Sequence, residues 1–308
     1  MSGRRDAPSR QVQTPNPNRF LSGVIMRNRA PLLNPRDIER VRRALEAEEA
    51  EAATARMKAG RTHVKFHQGS GRSLDVIGRL AGVSGRTVQK IREIYAAHAA
   101  DPDRYAKVVA DMEASSKVDG AHRKMLRLQD EARVARLRPV AGRFLTLAFD
   151  PPWEDESVSE GQRPPYATMS VDALRAMPVP AWGLDEGHIY IHAPGPFLAI
   201  AIELAGAWGY DFKTVIGWKK PHFSMGRYFR TIEEFVVFGV RGGLMVRRQD
   251  LPNHFAGPVG EHSEKPEAFY DLVRAASFPP YGEGFQRQAR PDFTNLYIES
   301  PSMAVAAE

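Results

Sequence analysis

The residues best equipped for chemistry are Asp150-Pro151-Pro152-Trp153. They follow the apolar run Phe144-Leu145-Thr146-Leu147-Ala148-Phe149, which is short, rich in β-favouring residues and stopped by two prolines, so it predicts a buried strand meeting a rigid loop. In an open parallel sheet the carboxyl end of such a strand is where ligands sit. A carboxylate there, followed by a fixed backbone and one large aromatic, suits gripping a flat nitrogenous base. A second candidate is Arg227-Tyr228-Phe229-Arg230 after Gly226, a basic aromatic loop of the kind on which single-stranded bases stack; the alternative is a partly buried hairpin tip. His188 and His192 have the spacing of one strand face, but no third ligand accompanies them and no metal site is expected.

The elements that position these residues belong to a chain of 308 residues with 43% hydrophobic content, enough for a sizeable core and two domains. The absence of cysteine excludes disulfides, cysteine-based zinc sites and thiol catalysis. The Arg- and Pro-rich start lacks the apolar segment of a signal peptide, and the apolar stretch Phe197 to Trp208 is too short for a membrane span. The expectation is a soluble cytoplasmic protein. Charge is divided: residues 1–140 carry 28 Lys and Arg against 16 Asp and Glu, net +12, and the remainder carries 15 against 21, net −6. A basic first half suggests a polyanionic partner; a solvated Arg-rich helical surface would give the same count.

Residues 1–30 read as a disordered basic tail, with Pro15, Pro17 and no periodicity, and 301–308 as a second tail. Residues 31–136 read as a helical domain. From Arg36 to about Lys58 the absence of Gly and Pro and the spacing of Ile38, Val41 and Leu45 predict a helix entered at Asn34-Pro35. Ser73 to Ala81 predicts a short amphipathic helix, Gly82-Val83-Ser84 a turn, and Gly85 to Tyr95 a further helix with Val88 and Ile91 inward. Two helices joined by a short Gly-containing turn describe a helix-turn-helix, here over 73–95; an ordinary helical hairpin is the alternative. Gly78 is small where the helices would cross, and Ser84 can cap the second. Ser84, Arg86, Thr87, Gln89 and Lys90 are then the candidate DNA-binding residues near the start of the recognition helix. The Gly-Val-Ser-Gly-Arg-Thr-Val string at 82–88 and the helical sequence through Ala110 resemble bacterial partition-type DNA-binding proteins and phage replication regulators, which implies a bacterial or phage-type protein. Charged helices follow from Asp101-Pro102 and over Ala121 to Arg136, and the pattern breaks at 137–142, with Pro139 and Gly142.

Beyond the break, over 142–300, strands and helices alternate. Strands are predicted at 188–192, 212–218 and 235–240, weaker ones at 281–287 and 294–298, and helices at 170–177, 197–208 and from Pro266 to about Ala276. Such alternation implies an α/β sheet covered on both faces.

Four segments then occur in a telling order: Asp150-Pro151-Pro152-Trp153, Tyr166-Ala167-Thr168-Met169-Ser170, Trp218-Lys219-Lys220-Pro221 and Glu261-His262-Ser263-Glu264-Lys265-Pro266. Over about 144–299 the chain resembles the DPPW-type adenine amino-methyltransferases, a family that includes the mRNA adenosine methyltransferases. The resemblance implies a Rossmann-like α/β domain that binds S-adenosylmethionine and methylates the exocyclic amine of adenine, preceded here by the all-α helix-turn-helix domain. It implies catalytic roles for Asp150, Pro151, Pro152 and Trp153. Substrate contacts fall to Tyr166, Lys219, Tyr228, Arg230, Glu234 and His262. Cofactor contacts fall to Phe149, Asp150, Lys265, Phe285, Arg287 and Glu299. With the basic N-terminal half, DNA is the preferred nucleic-acid partner over RNA.

The chain also departs from the family's pattern. Where the family reads Glu-Leu-Phe-Ala-Arg this sequence has Glu283-Gly284-Phe285-Gln286-Arg287, and a Gly-Asn pair becomes Tyr297-Ile298. A ribose-binding amide is thereby lost and Tyr297 adds bulk. Two other readings stay open: a DNA-binding regulator whose methyltransferase domain is degenerate, and adenine methylation of RNA.

Overall fold

The computed structural model describes residues 33–58, 70–224, 228–260 and 264–299; the tails, Arg227 and His262 lie outside them. The chain divides into two compact units, Met1–Leu128 with Ser159–Pro165, and Gln129–Val158 with Tyr166–Glu308. The division falls before the sequence break at 137–142, because the helix α5 (Val118–Val134) runs on past it and its Asp130 accepts a hydrogen bond from the backbone N–H of Ala167 at 2.9 Å within the second unit.

In the first unit, α1 (Pro35–Lys58) starts where Asn34 Oδ1 accepts the N–H of Asp37. It is followed by α2 (Ser70–Ala81), α3 (Gly85–Ala100), α4 (Pro102–Ser115) and α5. Helical spacing buries Ile38, Ile77, Val88, Ile91, Ile94, Val108, Met112 and Met125 in one core. The turn between α2 and α3 is tight. A Cβ on Gly78 would lie 2.7 Å from Val83 O, and Gly82 adopts a φ of 72°, a left-handed conformation that favours glycine.

The second unit is built on a seven-stranded mixed sheet with order β6-β4-β5-β3-β2-β7-β8. Its strands are β2 (Phe144–Phe149), β3 (Gly183–Ala193), β4 (Asp211–Ser224), β5 (Thr231–Arg241), β6 (His254–Ala256), β7 (Tyr281–Gly284) and β8 (Phe293–Asn295). β2 runs parallel to β3 and β7, whereas β5 is antiparallel to both its neighbours, so the sheet is mixed. A separate ribbon joins β1 (Leu137–Pro139) to β9 (Tyr297–Glu299). Short helices α6 (Val171–Arg175) and α7 (Val179–Trp182) precede β3.

Strand alternation distributes the core to two sides. Leu147, Phe149, Ile189, Ile191 and Val237 pack with Ala201, Leu204 and Ala205 of α8 (Leu198–Ala207). Ala148, Tyr190, Val236 and Phe238 pack with Phe269, Tyr270 and Val273 of α9 (Glu267–Ala276). The result is helix on both faces of the sheet, with the carboxyl ends of β2, β3 and β7 on one edge.

Candidate functional site

Asp150 is the first residue after β2. Its parity is that of Ala148, so it rises on the α9 side, where Lys265 precedes that helix. Lys265 Nζ lies 2.9 Å from Asp150 Oδ2, and Arg287 Nε, from the turn after β7, lies 3.7 Å from the same oxygen. Both cations thus make their nearest approach to Asp150 at the same oxygen, Oδ2.

The following loop is equally fixed. Pro151 O accepts the N–H of Trp153 at 2.9 Å, Pro152 O accepts that of Met169 at 2.8 Å, and Met169 O accepts that of Glu154 at 3.2 Å. Each carbonyl has a second lone pair free in principle. The Trp153 indole stacks on Phe197 with 5.1 Å between centroids and donates its N–H to His192 O at 3.1 Å. It is thus a fixed wall with one face already covered.

Tyr166 stands beside Asp150 with the Arg287 guanidinium 4.9 Å over its ring. Burial pushes its phenol above the ordinary value, Arg287 opposes this, and Asp150 and Glu234 add to it. Both carboxylates are thus near enough for their charge to act on the Tyr166 phenol. Glu234 pairs with Lys220, and Lys220 and Lys265 lie 5.1 and 5.5 Å from the Trp218 ring. Two lysine–carboxylate pairs thus flank one indole, whose own N–H reaches Gly257 O at 3.1 Å.

The other candidate residues are placed as follows. Lys219 is exposed, because β4 continues through it and alternation turns its neighbour Lys220 inward. Tyr228 and Phe229 are 92% and 84% exposed, and Arg230 is exposed beside them, at the tip between β4 and β5. Phe149 is in the core against Trp208, with ring centroids 5.2 Å apart. Glu299 is exposed on the β1–β9 ribbon. Neither Phe149 nor Glu299 lines the cavity beside the site.

That cavity, of about 520 Å³, is lined by Pro152, Tyr166, Phe285, Arg287, Asn295 and Tyr297, with Asp130 and Glu264 among its polar walls. Phe285 adopts a left-handed φ of 65°, a conformation costing a non-glycine residue about 1–2 kcal/mol. Gly284 before it has no room for a side chain, since a Cβ would collide with the Phe149 ring. Phe149 thus fills the space that a leucine at 284 would need. Asn295 and Asp130 were not singled out by sequence: both lie outside the recognised motifs, the first at the end of β8 and the second on α5. Asn295 Oδ1 accepts the N–H of Tyr297 at 3.1 Å, so a side-chain amide lies within two residues of the altered Tyr297-Ile298 position.

In the first unit, Ser84 Oγ accepts the N–H of Thr87 at 3.1 Å and lies 2.9 Å from Thr87 Oγ1; these two residues cap α3. Gln89 donates to Glu93, whose other oxygen is 2.5 Å from His122 Nε2. Lys90 is held by Asp119 at 2.6 Å. Arg86 is exposed, as is Arg92 six residues along the same helix. Among the described residues no group of His, Asp or Glu could hold a metal, and no helix is long and apolar enough to cross a membrane.

An open mixed sheet with helices on both faces, its polar cluster at the carboxyl ends of β2 and β7, is consistent with a Rossmann-like fold. Residues 144–296 match the MT-A70 family, and this part of the chain is an MT-A70 domain. The probable N(6)-adenosine-methyltransferase MT-A70-like of Oryza sativa subsp. japonica is 28% identical over 147 residues, 45% of this chain and 20% of that protein. The type II methyltransferase M.MunI of Mycoplasma sp is 33% identical over 115 residues, 35% of this chain and 48% of that protein. The N(6)-adenosine-methyltransferase MT-A70-like protein of Drosophila melanogaster is 27% identical over 148 residues, 45% and 23% respectively. The chain thus spans between a fifth and a half of these relatives' length. Their sources, a plant, an insect and a mycoplasma, do not single out a bacterial or phage setting.

Proposed function

We propose that this protein transfers the methyl group of S-adenosylmethionine to the exocyclic N6 amine of adenine in DNA. The observation that carries the proposal is that Lys265 and Arg287 both make their nearest approach to Asp150 at Oδ2, in a carboxylate followed directly by two proline carbonyls that backbone hydrogen bonds hold in place.

The adenine amine is a poor nucleophile because its lone pair is delocalised into the ring. Asp150 Oδ1 can accept one amine hydrogen, and Pro151 O or Pro152 O the other through its second lone pair. Two acceptors on one side draw the nitrogen toward a pyramidal geometry and free its lone pair on the opposite side. They also stabilise the positive charge that grows on nitrogen, without reorganising, because both are already locked in place. Trp153, backed by Phe197, and Tyr166 supply walls for the flat base, and a base drawn from a duplex must leave the stack to reach them. S-adenosylmethionine, when bound, supplies an electrophilic methyl. The cavity beside Pro152 suits it: about 520 Å³ falls within the roughly 300–1,000 Å³ of small-molecule sites. Phe285 and Tyr297 offer apolar walls, and Asn295, with its oxygen oriented by Tyr297 N–H, offers the amide that Tyr297-Ile298 lacks. These features, with the packing of Phe149 over Gly284, speak for the enzyme over the degenerate-domain regulator.

DNA is preferred because α2 and α3 meet at a close glycine contact in a basic N-terminal half, with Arg86 and Arg92 outward for phosphates or base edges. Lys90, tied to Asp119, is assigned a structural part. The decisive assay is transfer of labelled methyl to adenine-containing DNA by the wild type and Asp150→Ala. The variant is expected to lose at least about a hundredfold in kcat; equal incorporation by both would sink the mechanism. Calorimetric titration with S-adenosylmethionine tests the cavity, and silence at high concentration would return the regulator reading. Competition between duplex DNA and single-stranded RNA at fixed salt tests the substrate class.

A further inference from the structure

His192, the penultimate residue of β3, is 3% exposed, and neither ring nitrogen has a hydrogen-bond partner among the described residues. Its ring is packed edge-on against Phe269 of α9, 4.4 Å between centroids. An imidazole buried in this way forgoes about 1–3 kcal/mol for each bond left unmade. The sheet order explains which group stands over it. Strands run β4-β5-β3-β2, and Phe149 on β2 pairs with Ile191, so that Asp150 follows beside His192. Lys265 Nζ touches Asp150 beyond β2 yet lies 5.5 Å from the Trp218 ring on β4. A cation near both lies over the strands between them, and His192 is the polar side chain that β3 presents on that face at the end next to Asp150.

We propose that His192 is a positioning residue that offers the Lys265 ammonium a second seat, so that the ammonium can leave Asp150 Oδ2 for an imidazole nitrogen. The proposal rests on the reading of Asp150 as the amine acceptor. With Lys265 on Asp150, part of the carboxylate's accepting power is spent on an ammonium. With Lys265 on His192, both carboxylate oxygens turn toward the amine and Arg287 alone orients them. The exchange needs an uncharged imidazole, since only that form has an acceptor nitrogen. Burial, and then the charge of Lys265, hold His192 well below the ordinary histidine value, consistent with that requirement.

The test uses the full chain with nitrogen-15 in its histidine rings, the His192 signal being identified by its loss in His192→Phe. Asp150→Asn removes the charge from the first seat. The acceptor nitrogen of His192 is then expected to shift upfield relative to wild type, and the shift to vanish in Asp150→Asn with Lys265→Met. Asp150→Ser provides a second neutral variant should the first not fold. An unchanged His192 signal in a folded neutral variant overturns the proposal. In turnover, His192→Phe, which keeps an aromatic ring against Phe269, is expected to lower kcat on the order of tenfold with KM for DNA and the affinity for S-adenosylmethionine unchanged. A shift without loss of kcat overturns the positioning role. A wild-type protein that transfers no methyl sinks the proposed activity and leaves the resonance experiment standing.

Discussion

Two buried histidines lie four residues apart on one face of β3 and meet opposite fates. His188, at 0% exposure, is complete. Its Nε2 is 2.9 Å from Leu244 O and must donate, so Nδ1 accepts from Ser277 Oγ at 2.7 Å, and Tyr190 OH in turn lies 2.7 Å from that oxygen. The Ser277–His188 pair has the spacing of a nucleophile and its base, yet Ser277 is fully buried, so it is framework. His192 is nearly as buried, and its ring nitrogens have no hydrogen-bond partner among the described residues. The same strand thus supports a satisfied network at one end and an unsatisfied group at the other, and the unsatisfied end is where Asp150, Lys265 and Glu234 gather. Burial alone does not mark function; unmet hydrogen-bonding capacity beside a charged cluster does.

The contrast can be broken first at His188. His188→Ala strips partners from Ser277 and from Leu244 O and leaves a cavity, and is expected to cost about 3 kcal/mol of stability while leaving the affinity for S-adenosylmethionine of the folded fraction unchanged. Urea unfolding and calorimetric titration of the same sample check both halves. A stable variant that had lost ligand affinity would reverse the roles assigned to the two ends.

Next in size is Gly284→Ala, whose added Cβ collides with the Phe149 ring. A loss of about 1–3 kcal/mol is expected from overpacking, most of it recovered when Phe149→Leu is added. Additive losses in urea midpoints would show that the two sites do not share one space.

What the sequence disclosed of this arrangement follows the range of the interactions. Asp150 was legible because an apolar run ended by Pro151-Pro152 is a local signal for a strand end, and the ordered motifs placed Tyr166 and Lys265 in the same site. The partner of Lys265 was not legible: the pair with Asp150 joins the start of α9 to the end of β2, over a hundred residues away, and no local pattern reports it. Lys219 and Lys220 are indistinguishable by type, and only the continuation of β4 to Ser224, with its alternation, turns Lys220 inward. In the helices, Lys90 reads as outward from its spacing alone, whereas Asp119 from α5 claims it. Asn295 belongs to a three-residue strand outside every motif. The alternation of strands and helices was readable throughout, but not that β5 runs antiparallel, since direction leaves no trace in periodicity.

A smaller effect concerns pH. Burial lowers both His188 and His192 below the ordinary histidine value. In the unfolded chain each takes up a proton near the usual value of about 6.5, while the folded chain resists. Both therefore contribute stability that is full above about pH 6.5 and is lost as pH falls, at up to about 1.4 kcal/mol per pH unit for each histidine. His192→Phe is expected to remove the larger share of that slope, since its shift is the greater, and His188→Phe the smaller. Urea unfolding at several pH values between about 5 and 7 reads it directly. An unchanged slope in His192→Phe would mean that the imidazole is protonated when folded, and the contrast between the two ends would collapse.

The smallest expected stability change lies farthest from the core. Tyr228 and Phe229 stand almost wholly in solvent at the tip between β4 and β5, flanked by Arg230. Removing them exposes nothing that was covered, so Tyr228→Ser with Phe229→Ser is expected to move stability by less than about 0.5 kcal/mol. Their rings are nonetheless free to stack on unpaired bases, and each stacked base is worth about 1–3 kcal/mol of binding. The double variant is therefore expected to weaken binding to DNA carrying an unpaired adenine by at least tenfold, read by fluorescence anisotropy at fixed salt. Unaltered affinity would assign the tip to no part of substrate capture and leave the fixed walls Trp153 and Tyr166 as the aromatic surfaces for the base. Unaltered stability with lost affinity would complete the gradient from His188, which matters only to the fold, to a hairpin tip that matters only to the ligand.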